Sequence, residues 1–261
     1  MSYEIKIGKQ AIKLSSFTSQ VIAPNIQLEG LYRAMANELT NLRVTAQQAE
    51  AEADLLEVIR NDPDLNEQAK NRRANEIKNP DTLKAFTRGV AAISAQAVNI
   101  LSYLQNRLAP VRPLDEADIL GFMRDSEMRL AFANMDRQSR ERMLLSMHNG
   151  KNQELAKAIL RAHPICSGLE TNQLKNLAFS RITAENSDVI SSVYELVEAI
   201  RKDVTQITAV RTWYNNLVYG KSDDPSEVQP RMTGIDQLSE HVSAMLKVHQ
   251  RQTSSEEKQA A

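Results

Sequence analysis

A chain of 261 residues, 42% hydrophobic and 25% charged, is long enough for one large domain or two small ones of ordinary soluble composition. Its formal charge of −1 excludes a globally basic surface, so nucleic acid or an anionic membrane would have to be met by a local patch. Aromatic residues make up only 5%, which leaves few stacking platforms for single-stranded nucleic acid and suits aliphatic helix-on-helix packing.

The single cysteine, Cys166, cannot form an intrachain disulfide, and the first residues lack the basic, apolar and small-residue segments of a secretory signal. A reducing, cytoplasmic setting is the expectation. The longest uncharged run, residues 89–106, contains Ser94, Gln96, Asn99, Ser102 and Gln105, and falls short of a membrane span.

Residues 1–22 alternate apolar and polar side chains around Gly8, as in Tyr3, Ile5, Ile7, Ile12 and Leu14, which predicts a short extended arm or hairpin. Two strands alone are marginal in water, so the arm must lie on the helical body or on a neighbouring subunit. From Pro24 to Asp62 one stripe recurs at spacings of four and three: Leu28, Tyr32, Met35, Leu39, Leu42, Ala46, Ala49, Ala53 and Leu56. That period is helical, and at ~1.5 Å per residue the helix is roughly 57 Å long, so partner helices must sheathe it. Pro63 stops it.

A short charged segment, Leu65 to Lys78, follows; Asn79-Pro80-Asp81 then opens a second long helix ending at Ala109-Pro110. Its seam is Leu83, Phe86, Val90, Ile93, Ala97, Ile100 and Leu104, and the short connection predicts an antiparallel hairpin of the two long helices. Small residues on both seams place Gly89 against Ala49 to Ala53, and Lys84 and Arg88 beside Asp54 and Glu57. Between Pro113 and Pro164 shorter helices are expected. One, from Asp115 to about Asn134, carries Ile119, Leu120, Met123, Leu130 and Phe132; another is capped by Asp136; a third covers Lys151 to Ala162.

After a helix from Glu170 to Ile182 comes a third long one, Ser187 to Tyr219, with its own seam from Ile190 to Val218 interrupted by Arg211. Residues 220–234 read as a linker, Ile235 to Gln250 as an amphipathic helix, and the polar ending from Thr253 as a mobile tail. The predicted architecture is all-α: an elongated helical bundle of long antiparallel, coiled-coil-like helices over 23–220, an N-terminal extended arm over 1–22, and a linker, helix and tail over 221–261.

Motifs with chemistry fare poorly. His163 and Cys166 sit three apart but lack a second ligand pair, and His241 and His249 read as surface side chains. Asp62, Asp64, Asn66 and Gln68 imitate a calcium loop, but Glu67 stands where glycine is needed and Arg73 where glutamate is. Gly220-Lys221-Ser222 lacks the earlier glycine of a phosphate loop. Cys166, between Ile165 and Leu169, reads as packed rather than reactive. No catalytic residue, cofactor or metal is expected.

The candidate interaction residues are two basic clusters, Lys70, Arg72, Arg73 and Lys78, and Arg137, Arg140 and Arg142, together with Arg211 as a register-setting polar residue in an apolar seam. Three long seams, with only short helices between 113 and 168 to cover them, point to a homo-oligomer or a helical protein partner. The expected function is structural: a non-catalytic assembly component or scaffold, including one of a viral particle. The alternatives are a nucleic-acid-binding regulator using the basic clusters and an enzyme or ligand-binding bundle built from scattered polar side chains.

Overall fold

The computed structural model describes residues 3–7, 10–14, 23, 25–219 and 232–260; the expected linker falls almost wholly outside them. The elements are β1 (Tyr3–Ile7), β2 (Gln10–Leu14), α1 (Ile26–Asn61), α2 (Glu67–Ile77), α3 (Pro80–Arg107), α4 (Ile119–Ala133), α5 (Arg137–His148), α6 (Gln153–Arg161), a 3-10 turn (Pro164–Cys166), α7 (Thr171–Glu185), α8 (Ser187–Tyr219) and α9 (Thr233–Ala260). Among the described residues every element but the terminal hairpin is helical, and the all-α class holds. It divides into two compact units: Met1–Leu101 with Tyr194–Ser239, and Ser102–Val193 with Glu240–Ala261.

The first unit is organised on α1. Asn25 caps it by accepting from the Leu28 amide at 2.9 Å, and Pro63 follows its C-cap, Asp62. All nine seam residues named above are buried, none more than 6% exposed. Each buried leucine or methionine contributes about 1.5–3 kcal/mol relative to an exposed one. α3 runs antiparallel to α1, since Gly89 lies on Leu42 and Thr82 Oγ1 donates to Glu52 at 3.0 Å. α8 runs parallel to α1: Arg43 pairs with Asp203, Tyr214 donates to Glu52, and Arg60 donates to the Leu217 carbonyl at 2.9 Å. The start of α9 closes on α3 through the Gly234 amide and Ser94 Oγ, 2.8 Å apart. A β-carbon on Gly234 would stand 2.2 Å from the Ser94 carbonyl, so only glycine admits that approach.

These contacts correct three expectations. The seams are buried within one chain, because three long helices lying side by side cover one another along their length; the argument that they require a second chain falls away. Gly89 meets Leu42 instead of Ala49 to Ala53, since a glycine opposite a leucine fills space that two small residues would leave empty. Lys84 pairs with Asp81 on its own helix at 3.0 Å, not with Asp54 or Glu57. The hairpin pairs Tyr3 with Leu14 through Ile7 with Gln10, and β1 lies along α1 of its own chain. α2 occupies the segment that showed only charge: Asn66 caps it through the Ala69 amide at 2.8 Å, and Ala74 is its one buried residue.

The second unit packs Phe132, Met147, Ala156, Ile159 and Leu177 as its centre, from α4, α5, α6 and α7. Asp136 caps α5 through the Ser139 amide, and Glu170 and Gln173 form a capping box on α7. Gly150, with φ +86°, turns the chain from α5 toward α6. α9 continues to Ala260, well beyond Gln250, where a mobile ending was expected. Its anchor is buried Gln252, whose amide donates to the carbonyls of His148 (3.2 Å) and Ser180 (3.1 Å).

Candidate interaction surface on α4

α4 is amphipathic in the inverted sense. Its inner face is polar: Asp125, buried, takes Arg161 Nη1 at 2.8 Å, Arg161 Nε donates to the Arg112 carbonyl at 3.1 Å, and Arg129 Nη1 donates to the Ala158 carbonyl at 3.1 Å. The last contact also satisfies one of the orphan carbonyls of α6, as cations near helix C-termini do. Asp118 caps the helix through the Gly121 amide. Phe132, at the C-terminal end, is the large apolar side chain that α4 buries, and Met128 on the same face is half-buried.

With the inner face held by hydrogen bonds, the apolar side chains point outward. Ile119 is 67% exposed, Leu120 79%, Phe122 50%, Met123 56% and Leu130 63%. At roughly 100° per residue, Ile119, Met123, Ser126, Leu130 and Ala133 form one ridge at spacings of four and three, with Leu120 and Glu127 on one flank and Phe122 on the other. Beside Phe122 a groove of about 450 Å³ opens between Pro110, Val111, Leu160 and the Asp125–Arg161 pair. Sequence periodicity found Ile119, Leu120, Met123 and Leu130 but assigned them no exposed role. The available signal was Asp125 and Arg129 on the opposite side of the same helix.

The basic candidates sit elsewhere, one cluster in each unit. On α2, Arg72 and Arg73 are exposed, Lys70 pairs with Glu67 at 3.6 Å, and Lys78 is the C-cap. On α5, Arg137 pairs with Glu141 at 3.0 Å, Arg142 is exposed, and Arg140 is half-buried. Arg137 and Arg140 border a 340 Å³ pocket together with Glu141 and Glu170, so its charge is mixed. Arg211 is buried in the α8 seam with its Nε unpartnered, and burial lowers the pKa of its guanidinium.

Several chemical candidates also change. Cys166 is exposed, not packed, and Ile165 beside it is 86% exposed. His241 and His249 are half-buried, His241 edge-on to Phe179 with ring centres 6.0 Å apart, so neither is a plain surface histidine. His148 Nδ1 lies 3.0 Å from Ser180 Oγ, but Ser180 is buried and its hydroxyl also engages the Asn176 carbonyl, a structural arrangement. Among the described residues no group of three or more His, Cys, Asp or Glu side chains is placed to hold a metal, and no helix is long and apolar enough to cross a membrane. Compared with known protein families, curated proteins and solved structures, the chain matches none.

Proposed function

We propose that this chain is a non-catalytic assembly protein whose docking element is the outer face of α4. The observation that carries the reading is the inversion of that helix: polar side chains are spent on holding it to the second unit while five large apolar ones stand in water. A contiguous patch of this kind, on the order of several hundred Å², marks a protein–protein contact on soluble proteins. The exposed thiol of Cys166 suits a reducing compartment, where an intracellular assembly, including a viral particle, would form. Helix-to-helix docking is the mode the ridge offers, because side chains at spacings of four and three fit the grooves of another helix.

The test is side-chain footprinting of the protein in its native surroundings and after dilution in pure form. Met123 and Leu130 are expected to be protected in the first state and labelled in the second. Equal labelling in both would overturn the docking role.

A further inference from the structure

We infer that the partner on α4 is α4 of a second copy of this chain, in a two-fold antiparallel pair; the inference rests on the docking role proposed above. A two-fold contact demands a surface complementary to itself. The α4 ridge has that property in shape. When two such helices lie antiparallel about a point between Arg124 and Asp125, Ile119 of each copy faces Leu130 of the other, and Met123 faces Ser126. The long thioether then enters the space left by the small hydroxyl residue, twice, near the two-fold axis. A ridge of uniformly large side chains would hold the axes apart there.

It has the property in charge as well. In an antiparallel pair each flank meets the same flank of its mate. Arg124 and Glu127 lie on one flank three residues apart, both exposed, so the same two-fold brings Arg124 of one copy beside Glu127 of the other, two pairs in all. Arg124 also stands 3.6 Å from Glu154 of its own chain, a loose exposed contact that leaves donors free. In a parallel pair this flank would instead meet the opposite flank of the mate, and the two Arg124–Glu127 pairs would not form.

The extent of the patch sets the strength. A 15-residue helix is about 22 Å long, and a face of this size stays below the roughly 1,200 Å² of total buried area at which stable complexes begin. The dimer is therefore weak and concentration-dependent, and suited to stabilisation by high local concentration in an assembly.

The experiment is sedimentation equilibrium of the full chain from low micromolar to near-millimolar concentration, with circular dichroism to confirm that each variant is folded. Wild type is expected to dimerise reversibly. Met123→Glu and, separately, Leu130→Glu are expected to weaken the dimer at least about 100-fold, because each places two charges in the contact. Arg124→Glu and Glu127→Arg should each weaken it several-fold, and the double exchange should restore it, since the pairs then re-form with signs reversed.

A chain that stays monomeric throughout overturns the self-pairing; if footprinting still shows α4 protected in native surroundings, the docking role survives with another occupant. A dimer indifferent to Met123→Glu and Leu130→Glu overturns the inference, as does one lost in the single charge variants and not recovered in the double exchange.

Discussion

Arg43 of α1 and Asp203 of α8 form an ion pair inside the first unit, with 3% and 0% of their side-chain surfaces exposed. Removing water from both charges costs free energy that their attraction and hydrogen bonding must offset, so the pair adds little net stability but punishes the loss of one partner. Asp203→Ala, which leaves Arg43 buried without its carboxylate, is expected to destabilise the protein by about 3–5 kcal/mol. The double variant Arg43→Met/Asp203→Leu should recover most of that. Urea denaturation of the three proteins decides it: a double variant as unstable as the single one would show that the pair itself supplies the stability.

Gly89 is the contact point between α3 and α1. A β-carbon there would lie 2.7 Å from Leu42 Cδ1, the mobile end of a flexible side chain. Gly89→Ala therefore combines a helix-propensity gain of about 1 kcal/mol with a clash that Leu42 relieves by moving, and the net change should be small. Gly89→Leu should cost about 1–3 kcal/mol by overpacking, and Leu42→Ala in the same chain should return part of it. Additive effects of the Gly89→Leu and Leu42→Ala changes would place the residues apart.

Acid should weaken the fold in two separate steps. Burial lowers the pKa of His148 and of His241 from 6.5, so the folded protein binds their protons less readily than the unfolded chain does. Above that value neither state is protonated and the histidines have no effect. As the pH falls below about 6.5 the unfolded chain takes up protons first, and stability declines. Asp136 acts lower: hydrogen bonds from the side chain and backbone of Ser139 hold its carboxyl below 3.8, so its contribution is present above that value and is lost as the pH falls through the folded pKa. The melting temperature should drop between about pH 7.5 and pH 5, and less so in His148→Gln/His241→Gln. An identical drop in wild type and double variant would dismiss the histidines as its cause.

Gln252 ties α9 to α5 and α7 through two carbonyls at once. Gln252→Ala strands the His148 carbonyl, which ends α5 and has no helical partner, at about 1–3 kcal/mol, and should raise amide hydrogen exchange near the α5 C-terminus. Unchanged exchange at Asn149 and Gly150 would mean that water takes over that bond.

Most of the helical elements were legible in the sequence because burial on one side of a helix imposes a period that no strand can use. The seams of α1 and α8 were readable residue by residue, down to Ala49 and Val204, and the cap Asp136 stands where a short polar side chain can reach a free amide. α2 escaped because a helix with one buried alanine leaves no stripe to find. The register of Gly89 escaped because packing depends on the volume of both partners, and sequence shows each alone.

The candidate surface marks the boundary most clearly. Periodicity showed that Ile119, Met123 and Leu130 share a face of α4, but it does not say which way that face looks. The direction was decided by groups far away in sequence: Arg161, which neutralises Asp125 from 36 residues on, and the Ala158 carbonyl, which takes Arg129. A buried carboxylate without its guanidinium would cost more than a few exposed leucines and methionines, so the polar side of α4 turned inward and the apolar side was left to the solvent.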